Sequence, residues 1–117
     1  MATKNPTDGE QVVSLDLSAE HTAILRERLT DWLHGVRRDL RTPERLESPD
    51  AARQEAQAYE RLLVGVATGQ VVLPDEPARA AIETAAAGYD EGSNHAEIAA
   101  NHDALHGLLA VLEGGRA

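Results

Sequence analysis

The chain has 117 residues, no cysteine and a formal net charge of −9 at pH 7. Without cysteine, disulfide bonds and thiolate metal sites are excluded, and so acidic a chain lacks the cationic surface that nonspecific nucleic-acid binding requires. The length fits one domain with one core, because folding at this size buries about two thirds of the surface of the unfolded chain.

The predicted core is thin. Apolar residues make up 42% of the sequence, but many are alanine, and the chain has one Trp, two Tyr and no Phe. Alanine adds little apolar area, whereas each large aliphatic side chain contributes about 1.5 to 3 kcal/mol when it is buried. We therefore expect help from a partner copy in a homodimer, to which the first long helix contributes most.

No segment of the sequence has the features of a membrane span or a secretory signal. The N-terminal residues MATKNPTDGEQ lack an apolar core, and the longest uncharged apolar run, VGVATGQVVLP, is short and contains two glycines. The sequence thus predicts a cytoplasmic protein that binds neither nucleic acid nor membranes.

The first residues predict a flexible tail followed by a short strand. Residues 1–11 are polar and show no periodicity, so residues 12–117 are expected to form a single helical domain. In residues 12–17, VVSLDL, every second residue is apolar, which is the period of a strand with one covered face. Residues 70–73, QVVL, are also rich in β-branched side chains, and the two segments can pair as a small ribbon.

The strongest helical pattern runs from Ala19 to Leu40. Ser18 is a suitable N-cap, and Glu20 in the first turn matches the helix dipole. Apolar residues recur at steps of three and four residues, which predicts a wide buried stripe. The stripe contains Ile24, Leu25, Leu29, Trp32, Leu33, Val36 and Leu40.

A second helix is predicted from Ser48 to Gly69. Ser48 is a suitable N-cap, and Pro49 and Asp50 suit the first turn. Gly69 is a suitable C-terminal stop. The expected buried line contains Ala52, Ala56, Tyr59, Leu63 and Val66, with Leu62 beside it.

Two further helices are predicted after Pro74. Asp75 can cap the third helix, and Asn94 with Glu97 resembles a capping box at the start of the fourth, which runs to Leu112. The buried line of the third helix is mostly alanine and contains Ala78, Ile82, Ala85 and Tyr89. The line of the fourth helix contains Ile98, Leu105, Leu109 and Leu112, and backward steps extend it to His102 and His95.

Three of the five histidines, His95, His102 and His106, share one face of this last helix. A metal site requires that geometry, but side chains that border a packing seam share it too. We interpret His102 as a partly buried seam residue and the other two as rim residues. No metal ligand, cofactor site or catalytic residue is therefore assigned.

The segment HDALH, residues 102–106, carries two resemblances. It resembles the HExxH signature of zinc metalloproteases with Asp103 in place of the glutamate, which implies a zinc-binding pair of His102 and His106. The pair is also similar to the HxxxH of the final helix in small four-helix metal-dependent proteins of the DinB type. Those proteins draw a further histidine from another helix, and here that resemblance implies His21 or His34.

Two other features suggest sites. The cluster formed by Arg37, Arg38, Arg41 and Arg45 suits an anion or an acidic partner, but we interpret it as a solvated helix end. Trp32 and Tyr59 suit a ligand pocket, yet both fall on apolar lines. We therefore expect both in the core, with the Tyr59 hydroxyl at its edge.

Together the patterns predict an all-α protein, a four-helix up-down antiparallel bundle with a possible minor two-stranded β-ribbon; a helical hairpin completed by another subunit fits the same pattern. The sequence contains no Walker A loop, no GxSxG elbow and no GxGxxG after a strand. We therefore expect a non-enzymatic protein–protein interaction module. The alternatives are a metal-binding bundle, a hydrolase or transferase using the pair of His102 and His106, and a ligand-sensing bundle with a pocket between helices.

Overall fold

The computed structural model describes residues 10–90 and 96–114. This part of the chain is mostly helical, with one small antiparallel sheet, as the sequence predicts. The elements are β1 (Gln11–Ser14), α1 (Ala19–Asp39), a 3₁₀ turn (Pro43–Arg45), α2 (Pro49–Thr68), β2 (Gln70–Leu73), α3 (Glu76–Asp90) and α4 (Ala96–Gly114).

The ends of α1 and α2 follow the capping residues of the sequence. The Ser18 hydroxyl accepts the backbone N–H of His21 at 3.0 Å, and the Ser48 hydroxyl accepts that of Ala51 at 3.2 Å. Each serine thereby satisfies one of the N–H groups that have no partner within the helix. Gly69 ends α2 with a φ of 80°, a left-handed conformation that glycine adopts without steric cost. These three predictions are confirmed, whereas the predicted capping box at Asn94 begins outside the described residues.

The four helices enclose one core. α1 packs against α2 and α4, and α3 packs against the same two helices. The largest fully buried side chains come from all four helices and from β2: Leu25, Leu29, Leu62, Leu73, Ile82, Leu105, Leu108 and Leu112. Leucine therefore supplies most of the large buried side chains of the core, and alanine, valine, Ile82 and Tyr59 fill the rest.

The two strands form the predicted ribbon with antiparallel pairing, in which Val12 lies opposite Val72 and Val13 opposite Val71. β1 is shorter than predicted, since it ends at Ser14 and not at residue 17, and it begins at Gln11, which the sequence assigned to the tail. The predicted alternation nevertheless continues beyond the strand, because the leucines at 15 and 17 pack partly buried against the core.

The ribbon crosses α2 at Gly65. A Cβ atom at this position would lie 2.6 Å from Cγ1 of Val71 and 3.0 Å from the carbonyl oxygen of Gln70. Both distances are shorter than van der Waals contact, so only a residue without a side chain lets the ribbon approach the helix this closely.

Two helices are rotated slightly from the predicted orientation. In α2, Leu62 is buried and Leu63 is only partly buried, whereas the sequence predicted Leu63 on the buried line and Leu62 beside it. In α3 Ala86 is buried and Ala85 is partly buried. A wide apolar stripe is compatible with several rotations of its helix, and the neighbouring elements select one of them.

Within the described ranges, no helix is both long enough and apolar enough to cross a membrane.

Candidate functional site

The structure brings two of the three clustered histidines together. The ring centroids of His102 and His106 are 4.2 Å apart, and the ring planes are tilted by 40°. The Nδ1 atom of His102 lies 3.4 Å from Oδ1 of Asp103. His95, the third histidine of the predicted face, lies outside the described residues.

His102 borders the packing seam of α4, and the seam itself passes through Asn101. Asn101 is only 8% exposed, while His102 is partly exposed. From Leu105, a backward step of four residues leads to Asn101 and a step of three leads to His102, and both steps keep a residue near the same face. The predicted partial burial of His102 is confirmed, and Asn101, which the sequence analysis did not assign to the seam, is the more deeply buried of the two.

The described part of the chain does not bring together the full set of metal ligands that either resemblance implies. No group of three His, Asp or Glu side chains there is close enough to hold a metal ion. The two histidines implied as third ligands, His21 and His34, both lie on α1, where His21 is partly buried and His34 is exposed.

A groove lies where α1, α2 and α3 meet, with a volume of about 620 Å³. Its aromatic side chains are Trp32 and Tyr59, whose ring centroids are 6.0 Å apart with an angle of 45° between the planes. The remaining wall is formed mainly by alanine and short polar side chains. We name this the aromatic groove; its lining also includes Ala51, Gln54, Glu55, Pro77, Ala80, Ala81, Thr84 and Ala85.

A carboxylate lies beside the aromatic rings in this groove. The Tyr59 hydroxyl donates a hydrogen bond to Oε2 of Glu55 at 2.7 Å, one helical turn earlier on α2. Burial raises the pKa of Tyr59 well above its ordinary value, and the hydrogen bond to Glu55 and its negative charge raise it further. The phenol therefore keeps its proton at neutral pH.

A second hollow, of about 480 Å³, lies between α2 and the ribbon. Val64 on α2 and Val72 on β2 both line it, and Val12 is the cross-strand partner of Val72. Their side chains are 62%, 49% and 55% exposed, respectively. We name these three residues the valine patch.

Charged and polar residues border the valine patch. Arg61 donates from Nε and Nη2 to the two oxygens of Asp75, at 2.8 and 2.9 Å. Glu60, which also lines the hollow, pairs with Arg37 of α1. An apolar centre with a polar rim is the usual organisation of a protein–protein interface.

The four arginines of the cluster are exposed, and one of them is held by an ion pair. Arg37 pairs with Glu60 of the next helix, while Arg38, Arg41 and Arg45 are exposed side chains at the end of α1 and in the turn that follows. Arg37 and Arg38 occupy the last turn of α1, where a positive charge suits the helix dipole.

Sequence reasoning placed Trp32 and Tyr59 in the core, and Tyr59 is indeed buried while Trp32 is partly buried. It did not identify Glu55 or Val64 as surface features. Glu55 precedes Tyr59 by four residues, a spacing that places both on one helix face, and this was the available signal. The exposure of Val64 carried no such signal, because an apolar residue beside a stripe can face either way.

Comparison with known proteins gives no information about the function of this chain. The chain matches no protein-family model, and no curated protein or solved structure is significantly similar to it. The two resemblances of HDALH therefore depend on those five residues alone.

Proposed function

We propose that this chain is a non-enzymatic, cytoplasmic protein–protein interaction module, an up-down four-helix bundle that forms a homodimer through its valine patch. The observation that carries this proposal is the exposure of three valines, of which Val64 and Val72 line one hollow and Val12 and Val72 are cross-strand partners.

Contiguous exposed apolar side chains favour contact with another protein surface. Val12, Val64 and Val72 are the exposed large hydrophobic residues of the described part of the chain, and two of them lie directly opposite each other in the ribbon. Three valine side chains exposed to water do not gain the free energy that apolar side chains gain when they are buried in the core. Covering them with a second copy recovers part of that energy.

The ribbon provides a second reason for self-association. Among residues 10–90 and 96–114 the sheet has two strands, so β1 and β2 are both edge strands there. An edge strand offers unpaired backbone groups to a strand from another chain, which explains why exposed edges support association. Val12, Val72 and the strand edges belong to the same ribbon, and one partner surface can cover them together.

We propose the interface on the ribbon, whereas the sequence assigned the main contribution to α1. The large apolar residues of α1 are buried or partly buried against the core, and its stripe includes Leu25, Leu29 and Leu33. Little apolar surface is therefore left on α1 for a partner.

Sedimentation equilibrium of the wild type and of Val72→Lys tests the proposal. We expect a wild-type mass of twice 12.6 kDa at micromolar concentration, and at least a tenfold higher dissociation constant for the variant. Ala23→Lys adds the same charge at an exposed position of α1 and should leave the dimer intact. A wild type that stays monomeric at high concentration, or equal weakening by both variants, would contradict the interface.

The alternative function, metal binding by His102 and His106, has one favourable observation, the 4.2 Å separation of the two rings. Metal binding at this pair requires a third ligand in addition to the two imidazoles, and zinc titration tests it.

A further inference from the structure

We propose that the aromatic groove is a binding site for a small organic cation, a quaternary ammonium group that carries an apolar substituent. This site is separate from the valine patch, and the proposal does not depend on dimer formation.

The aromatic rings supply the first part of the argument. Trp32 and Tyr59 come from different helices, and their rings lie 6.0 Å apart and tilted by 45° on one groove. The face of an aromatic ring attracts a cation within about 6 Å of its centroid, and tryptophan does so most strongly. Trp32, which is only partly buried, can contact a cation in the groove, and the buried Tyr59 ring lies beside it.

The charge of the groove supplies the second part. Glu55 lines the same groove, and in the described part of the chain no Lys or Arg side chain pairs with it. Its hydrogen-bond partner is the neutral Tyr59 hydroxyl, which leaves the negative charge available to a ligand. The formal charge of −9 on the whole chain adds an attraction for cations and opposes anions.

The alanine wall supplies the space. Ala51 faces the groove from α2, and Ala80, Ala81 and Ala85 face it from α3. Because each of these side chains is a single methyl group, the helices leave a volume of about 620 Å³ between them. Small-molecule sites of about 300 to 1,000 Å³ with apolar walls and a few polar groups are usual. The apolar substituent of the ligand would lie against these methyl groups.

Hydrogen bonding selects the quaternary class of cation. A primary ammonium group has three donors that need acceptors, and one oxygen of Glu55 already accepts from Tyr59. A quaternary ammonium group donates no hydrogen bond. It can therefore bind without disturbing the pair of Glu55 and Tyr59.

The fluorescence of Trp32 tests the proposal directly, because it is the one tryptophan of the chain. The probes are choline chloride and benzyltrimethylammonium chloride, with 3,3-dimethylbutan-1-ol as the uncharged counterpart of choline. We expect a saturable change of emission with both cations, at least tenfold tighter binding of the benzyl compound, and no saturable change with the alcohol.

Substitutions then separate charge from shape. Glu55→Gln keeps an acceptor for the Tyr59 hydroxyl and removes the charge, so it should fold normally by circular dichroism and bind benzyltrimethylammonium at least tenfold more weakly. Glu113→Gln removes the same charge from an exposed position of α4 and should bind as the wild type does. Equal binding by Glu55→Gln and the wild type, equal binding of the alcohol and choline, or no saturable response to the benzyl cation would overturn the proposal.

Discussion

Arg61 and Asp75 form a bidentate ion pair that joins α2 to the start of α3. The arginine Nε and Nη2 atoms lie 2.8 and 2.9 Å from the two oxygens of Asp75, and one of these oxygens also accepts the backbone N–H of Ala78 at 3.2 Å. Asp75 is thus the predicted N-cap of α3 and an ion-pair partner at once. The hydrogen bond with Asp75 raises the pKa of Arg61 above its ordinary value.

Asp75→Ala removes both interactions, and we expect it to lower the free energy of unfolding by about 1 to 3 kcal/mol. Asp75→Asn keeps an acceptor for the helix start and removes the charge, so it should cost about 1 kcal/mol or less. Urea unfolding followed by circular dichroism measures both changes.

The matched control is Arg53→Gln. It breaks the pair of Arg53 with Asp50, whose side chains are 55% and 93% exposed, so no measurable change is expected. If Asp75→Ala were as harmless as this control, Asp75 would not have the capping role assigned to it.

The close contact of Gly65 with the ribbon predicts opposite effects of one substitution at two helical glycines. Gly65→Ala places a methyl group against Val71 and the carbonyl of Gln70, and we expect it to lower the free energy of unfolding by about 1 to 3 kcal/mol. Gly35 lies inside α1 with no atom within 4 Å of an added Cβ. Gly35→Ala should therefore stabilise the protein by about 0.5 to 1 kcal/mol, the difference in helix propensity.

Thermal unfolding of the two variants checks this pair of expectations. Stabilisation by both substitutions would show that the ribbon moves away from α2 without cost, contrary to the contact described for Gly65.

The raised pKa of the buried, hydrogen-bonded Tyr59 phenol predicts a loss of stability at alkaline pH. Below about pH 10 the phenol keeps its proton in the folded and the unfolded states, so its contribution is fully present. Above that value the unfolded state loses the proton while the folded state, with its raised pKa, retains it. The free energy of unfolding should then fall by about 1.4 kcal/mol for each pH unit.

Melting temperatures between pH 8 and 11 measure this dependence. Tyr59→Phe cannot ionise, and it should remove that part of the alkaline loss while costing about 0.5 to 1.5 kcal/mol at neutral pH for the missing hydrogen bond. Parallel pH profiles for the variant and the wild type would assign the loss to other groups.

The pair of His102 and His106 is tested by zinc titration in a calorimeter. Two imidazoles without a third ligand hold zinc weakly, so we expect no binding at micromolar concentration that depends on this pair. Micromolar binding that disappears in the double variant His102→Ala, His106→Ala would establish the alternative function, because the substitutions remove both ligands and leave the leucines of α4 in place.

Several features of the fold follow from the sequence because their causes are local. The start of α1 at Ser18 and the end of α2 at Gly69 depend on one capping group and one backbone conformation, and both can be recognised from neighbouring residues. The pairing of two short segments was also predicted from their β-branched residues, although with residues 12–17 in place of the observed strand at 11–14.

The surfaces proposed here were decided by the tertiary structure. A wide apolar stripe fits several rotations of its helix, so the neighbours of each helix select one of them. They decide whether Leu62 or Leu63 faces the core and whether Asn101 or His102 is the more deeply buried. The aromatic groove and the valine patch arise in the same way, from the distance between helices and from the side of the ribbon that remains in water. Such distances result from packing among residues far apart in the chain, and local sequence patterns do not contain them.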